Sequence, residues 1–365
     1  MPQTDVRLLR FSDRALREFG TQLLTALEVP VPQAELVSHT LVEANLRGVD
    51  SHGLQSLATM YVAELQSGGI DPRAVGEVAL ESGACLVYDG QSGLGQVVSD
   101  RCTDHAIRLA ARTGLSLVVA RNSNHFGAAA YWTHKLARAG YIGIAGCNGC
   151  AAAAPWQGKS PRLSTNPLSM AVPATEIGRW VLDMATTTVA SGKLTDAAYR
   201  NQDKIPGWWG FLDGDGNPTT DRRAAEKGRP SPIGGYKGTG LAMMVEILCA
   251  GLSGGPMSTD VPVYDPARPI QVSHTFLAID PARFMGLAEF EGRMSRLAQL
   301  VKSSEPAPGY DEVLIAGEPE WRAMAERLRE GIPIPEPLWE ALTSIAAPLK
   351  VVPPLPDAGG GGSPT

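Results

Sequence analysis

The hydrophobic positions of this chain change period along its length, and the change separates helices from strands. Leu16, Phe19, Leu23, Leu24 and Leu27 recur at helical spacing until Pro30 and Pro32 interrupt them. Two more amphipathic stretches follow, VPQAELVSHTLVEANL and SLATMYVAELQSG, with RGVDSHG between them. From Cys85 the apolar residues gather into short runs. CLVYDG and LSLVVA read as strands, separated by a helix from about Gln96 to Arg112. A short helix (AAAYWTHKLARAG) and the runs YIGIAG, LSMAVPA, WVLDMA and HTFLAID continue the alternation. The pattern predicts an α/β chain with substantial sheet.

The same pattern suggests an organisation. Residues 1–80 form a helical N-terminal part and 81–280 a sheet-bearing region. Within the latter, 199–236 is rich in Gly, Pro and Asp and reads as a surface excursion. KGTGLAMMVEILCAGLSG then predicts an apolar helix through the core. Residues 281–350 form a C-terminal helical part, and 351–365 a flexible tail. The fold is not a Rossmann fold, because DGQSGLGQ lacks the third glycine of a dinucleotide fingerprint.

Composition narrows the function. A chain of 365 residues, 44% hydrophobic and 19% charged, suits a globular protein with room for two domains. A net charge of −6 argues against a sequence-independent grip on nucleic acid. The first twenty residues carry charges throughout, so no signal peptide or anchor is expected, and no stretch reaches bilayer length. Five cysteines without a disulfide framework fit a reducing cytoplasm. Cys147 and Cys150 have redox-pair spacing, but with no second Cys pair and small flanking residues they read instead as buried small residues on a loop. No two histidines or carboxylates sit at zinc-ligand spacing on one element, and DSHG is not the elbow of a serine hydrolase.

Five stretches carry candidate chemistry. In DSHG, His52 has the side chain best suited to exchange a proton near neutral pH, with Ser51 beside it as an orienting hydroxyl. The competing reading makes Asp50 or Ser51 a helix N-cap. NSNHFG follows a strand and precedes a helix, where α/β enzymes place ligands, or it is a polar turn carrying a surface histidine. Thr165 and Asn166 offer a hydroxyl and an amide before a strand. Lys193, two residues after Ser191, is able to neutralise an anion or simply to be solvated. GGYKGTG, with Lys237, is able to wrap a phosphate or to serve as a glycine-rich helix entry.

RGVDSHG, NHFG, TNPL, DMAT, GGYKGTGLA and HTFLAID, in this order, resemble the malate/L-lactate dehydrogenase family, which is distinct from the Rossmann lactate dehydrogenases. The resemblance runs from about Ser12 to about Leu342. It implies a mixed-sheet α/β fold like that of malate and sulfolactate dehydrogenases, with a helical subdomain, usually in a homodimer. It also implies NAD or NADP as cofactor and a small 2-oxo or 2-hydroxy acid as substrate, or a cyclic imino acid in the imine-reducing members. Family members of the imine-reducing kind assign proton donation to the histidine matching His52, with the serine matching Ser51 beside it, and others use the one matching His125. His52 is favoured here because Ser51 partners it. The family's cofactor contacts fall on His125, Phe126, Gly127, Ala128, Ala129, Asp183, Met184, Ala185, Lys237, Gly317 and Glu318. Its substrate-facing positions fall on Ser56, Thr165, Ser191 and Gly192, with Lys193 as the stabilising cation, and no metal is implied.

Three departures stand out. Ser56 occupies the place of an arginine that clamps the substrate carboxylate, and Ser191 the place of another arginine common among hydroxy-acid members. Lys193 stands where imine reductases carry Asp. Serine does not reproduce bidentate anion recognition, so the resemblance implies an atypical substrate or a homologue that binds dinucleotide without turnover. Tyr236 replaces a frequent histidine.

Overall fold

A computed structural model describes residues 6–174 and 179–357. Strand β1 (Leu8–Phe11) leads into α1 (Asp13–Ala26), whose first turn is capped where Ser12 Oγ accepts from the Ala15 amide at 3.3 Å. Helix α2 (Val31–Leu46) starts directly after Pro30 and stops at Gly48, where φ is +75°. A 3₁₀ turn (Asp50–His52), a π-helical turn (Leu57–Tyr61) and α3 (Val62–Ser67) follow.

The sheet region contains β2 (Glu77–Ser82), β3 (Cys85–Asp89), α4 (Gly95–Thr113), β4 (Leu115–Ser123), α5 (Ala129–Arg138), β5 (Ile142–Cys147), β6 (Leu168–Ala171) and β7 (Val181–Met184). After α6 (Gly192–Tyr199) come β8 (Phe211–Leu212), α7 (Arg222–Glu226), β9 (Arg229–Pro230), α8 (Tyr236–Glu246) and β10 (Val272–Ile279). The chain closes with α9 (Leu287–Lys302), α10 (Glu318–Glu330), β11 (Ile332–Pro335) and α11 (Glu336–Ala346).

Seven strands pair in the order β2-β3-β4-β10-β5-β6-β7. Only β3 and β4 run parallel, joined by the α4 crossover, and the other neighbours are antiparallel. The sheet is therefore mixed, and its centre is β10, whose first five residues are buried as a continuous run. One apolar core joins β1, α1, α2 and α11, and a second lines the sheet beneath α4 and α5. Helix α4 serves both, with Leu94 and Val97 in the first and Val98 and Cys102 in the second.

Three expectations change. The stretch 199–236 is more than a loop, since Ile205, Trp209, Phe211 and Ala225 pack with Val189, Leu194 and Ala197 into a small core of their own. Helix α8 does not run through the core; Met243, Met244 and the following Ile247 are exposed. The C-terminal part is not purely helical, because β11 pairs antiparallel with β1. The flexible-tail expectation for 358–365 lies outside the described residues. Among the described residues no helix is long and apolar enough to cross a membrane.

Candidate active site

The turn that opens the site is set from behind. The Asn45 side chain accepts from the Leu54 amide (2.9 Å) and donates to Asp50 Oδ1 (2.7 Å). A Cβ on Gly53 would meet the Asn45 amide at 2.2 Å, so the close approach requires glycine there. Asp50 does not cap a helix. Its carboxylate receives Arg327 from α10 at 2.6 and 3.1 Å and Arg200 from the end of α6 at 3.5 Å. Ser51 is no cap either, because its Oγ lies 3.0 Å from His52 Nδ1. His52 Nε2 has no protein partner among the described residues, and the ring lines a cavity.

His125 stacks behind His52, with ring centroids 5.7 Å apart and planes inclined by 22°. The π-helical turn brings Tyr61 to it, placing the phenol oxygen 2.6 Å from His125 Nδ1, and Gln96 Nε2 donates to that oxygen at 2.7 Å. Burial first, then the Lys193 charge, pulls His52 down to about 4. Burial, then His52 and His274, pulls His125 down to about 3. The surroundings therefore favour the neutral form of both imidazoles. The glycines of DGQSGLG do not form a phosphate loop. A Cβ on Gly95 would meet the carbonyls of Asn124 and His125 at 2.1 and 2.3 Å, so this loop is glycine-rich in order to pack on NHFG.

The cavity holds about 610 Å³. Ser51, His52, Gly127, Ala128, Ala129, Thr165, Asp183, Met184, Ala185, Lys193 and Gly317 all line it, although they come from six separate segments. The Lys193 ammonium has no hydrogen-bond or ion-pair partner among the described residues and faces His52 electrostatically. Asp183 projects into the cavity and accepts from the Ala130 amide at 3.0 Å, so the first turn of α5 already holds an anion of its own. Desolvation by the cavity wall shifts its carboxyl upward, against the pull of that amide and Arg47, although the residue itself is exposed.

Other sequence candidates lie elsewhere. Ser56 is buried and off the cavity wall, Ser191 is exposed at the start of α6, and Gly192 packs against the Ser51 backbone. Phe126 is buried and stacks on His274 with centroids 4.6 Å apart. Lys237 is exposed on α8 and does not line the cavity. Glu318 holds Lys302 at 2.6 Å and the Ile315 amide at 2.8 Å, which fixes the wall segment before Gly317. Asn166 is structural, donating to Ala242 O at 2.8 Å. Cys147 and Cys150 are free thiols, and burial pushes both above the ordinary range.

The structure also adds residues the sequence did not single out. Arg47 lies in the cavity wall, only 6% exposed. Its Nε donates to Glu43 at 3.1 Å, its Nη1 lies 2.7 Å from His134 Nε2, and its guanidinium covers the Trp321 ring at 4.5 Å. Tyr61, Gln96 and Arg327 are the others. Arg47 stood within the RGVDSHG motif, so a signal existed; the partners of Tyr61 and Arg327 are too distant in sequence to leave one.

Comparison with known proteins agrees with this arrangement. Residues 11–343 match the family described as malate/L-lactate dehydrogenase. The crystal structure of malate dehydrogenase from Pyrococcus horikoshii superposes with a TM-score of 0.88 at 35% identity, covering 96% of this chain and 99% of that one. L-sulfolactate dehydrogenase of Methanocaldococcus jannaschii is 37% identical, covering 92% of this chain and 93% of that protein. (2R)-3-sulfolactate dehydrogenase (NADP(+)) of Chromohalobacter salexigens is 38% identical over 74% of this chain and 81% of its own length. With a mixed sheet of the same shape and a match over nearly its whole length, this chain belongs to the malate/L-lactate dehydrogenase family.

Proposed function

We propose that the chain is a nicotinamide-dependent oxidoreductase acting between C2 of a small 2-oxo acid and the corresponding 2-hydroxy acid. The observation that carries this reading is one cavity holding a partnered imidazole, His52, beside an unpaired ammonium, Lys193. Its volume of about 610 Å³ lies in the range of cofactor and ligand sites. Its walls suit a dinucleotide. Gly127 and the alanines after it allow close approach, Asp183 faces inward as an acceptor for a ribose hydroxyl, and Arg47 supplies a buried cation. These residues, with Met184, Ala185 and Gly317, would hold NAD or NADP. When bound, the nicotinamide gives or takes the hydride.

The protein's own groups do the rest. In the oxidation direction neutral His52 takes the hydroxyl proton at Nε2, while Ser51 at Nδ1 holds the ring and offers a path for the charge. Lys193 binds the substrate carboxylate and stabilises negative charge on the C2 oxygen. With Ser56 away from the cavity and one uncommitted cation near His52 among the described residues, the wall favours substrates carrying a single carboxylate over dianions. The exposed apolar face of Met243, Met244 and Ile247 supports a homodimer, and the scattered free thiols support a cytoplasmic setting.

The test is a panel of 2-oxo acids and cyclic imines with both reduced cofactors, followed by loss of reduced-nicotinamide absorbance. Turnover of 2-oxo monocarboxylates supports the reading. Turnover of cyclic imines alone replaces it with imine reduction, and tight dinucleotide binding without turnover replaces it with an inactive homologue.

A further inference from the structure

The two stacked imidazoles have different partners, and the difference extends to which nitrogen carries the proton. Gln96 donates an N–H to the Tyr61 oxygen at 2.7 Å. The phenol's own hydrogen must therefore point elsewhere, and two groups lie within reach: the His125 carbonyl at 3.4 Å, a long bond, and His125 Nδ1 at 2.6 Å, a short one. Tyr61 and Gln96 are both fully buried, so neither exchanges this bond for water. The π-helical turn Leu57–Tyr61 is what aims the phenol at the ring.

We infer that Tyr61 and Gln96 are positioning residues that hold His125 as the neutral tautomer with its proton on Nε2. This rests on the function proposed above only for its catalytic meaning. His125 does not line the cavity itself and stands beside His52 as a ring of fixed tautomer, while His52 alone changes protonation. The groups facing His125 fit this: the Tyr61 oxygen lies 2.6 Å from Nδ1, and the neighbouring imidazoles His52 and His274 disfavour a positive charge there. His52 differs because its Nδ1 partner, the Ser51 hydroxyl, is free to donate or accept and so tolerates both protonation states.

The experiment is nitrogen-15 NMR of histidine-labelled protein without cofactor, titrated from pH 8 to pH 5. The expected result is a single His125 tautomer with the proton on Nε2 and no titration across that range. Tyr61→Phe should give a mixture of tautomers. In the loaded enzyme, kcat should fall about 10-fold in Tyr61→Phe and in Gln96→Leu, with cofactor affinity unchanged. A proton on Nδ1 in the wild type, or protonation of His125 within the range, overturns the inference, and the wild-type spectrum decides this even if a variant fails to fold. The spectrum needs neither substrate nor turnover, so a failed substrate panel leaves this result separately readable.

Discussion

The two ends of the cavity are built on opposite principles. At one end Arg47 is committed to Glu43, His134 and the face of Trp321. At the other, Lys193 meets no partner among the described residues, and His52 keeps one nitrogen free. The first end is a buried network that holds the α2–α10 junction in shape and leaves one guanidinium nitrogen, Arg47 Nη2, without a hydrogen-bond partner among the described residues. The second is left unsatisfied, and a ligand is what completes it. Removing a charge should therefore cost stability at the first end and chemistry at the second.

The largest expected effect is at the reactive end. His52→Ala should lower kcat by roughly 10²- to 10⁴-fold while dinucleotide affinity stays within about threefold. Because the neutral ring is the base and burial holds its pKa near 4, wild-type kcat/KM for alcohol oxidation is present above that value. It falls as pH drops through about 4, and a steady-state pH profile checks this limb. Arg47→Met tests the other end. It leaves the buried Glu43 only the longer contact to Arg138 at 3.8 Å and should destabilise the protein by about 2 kcal/mol, read as a lower denaturant midpoint.

Lys193→Met comes next. It should raise KM for a 2-oxo acid by roughly 10- to 100-fold with little change in denaturant midpoint, since no internal ion pair is broken. Equal losses of stability in the two cation variants would erase the contrast. The smallest effect lies outside the cavity. Glu64 is buried with neither carboxylate oxygen bonded, and burial raises its pKa to about 7. The cost of ionising it is absent below the ordinary carboxylate range and complete above pH 7, so Glu64→Gln should stabilise the protein at pH 8 by about 1 kcal/mol and not at pH 4. Thermal unfolding at the two pH values checks the sign.

How much of this was legible in the sequence depends on how local the physics is. Six of the seven strands of the large sheet were readable because apolar runs such as LSLVVA and HTFLAID are mostly buried. Strand β2, exposed throughout, fell at the end of the expected helical part and was missed. Strands β1 and β11 escaped notice because each has four residues and β11 alternates with proline, so its pairing partner lies more than 300 residues away. The small core around Trp209 was hidden by the Gly, Pro and Asp that surround its few apolar residues. Ser51, His52 and Lys193 could be named from motifs, since each chemistry needs a particular side chain. The competing cap reading of Asp50 rested on local sequence, whereas its Arg327 partner sits 277 positions on. Helix α8 looked like a core helix because composition cannot distinguish burial within a chain from an exposed apolar face.

The account's central claim is tested most directly by a crystal structure with reduced dinucleotide and a non-reacting 2-oxo acid analogue. The prediction is nicotinamide in the 610 Å³ cavity, with the analogue's C2 oxygen roughly 3 Å from His52 Nε2 and its carboxylate on Lys193 Nζ. A dinucleotide seated outside that cavity, or an analogue whose oxygen touches His125 in place of His52, or neither imidazole, would contradict it.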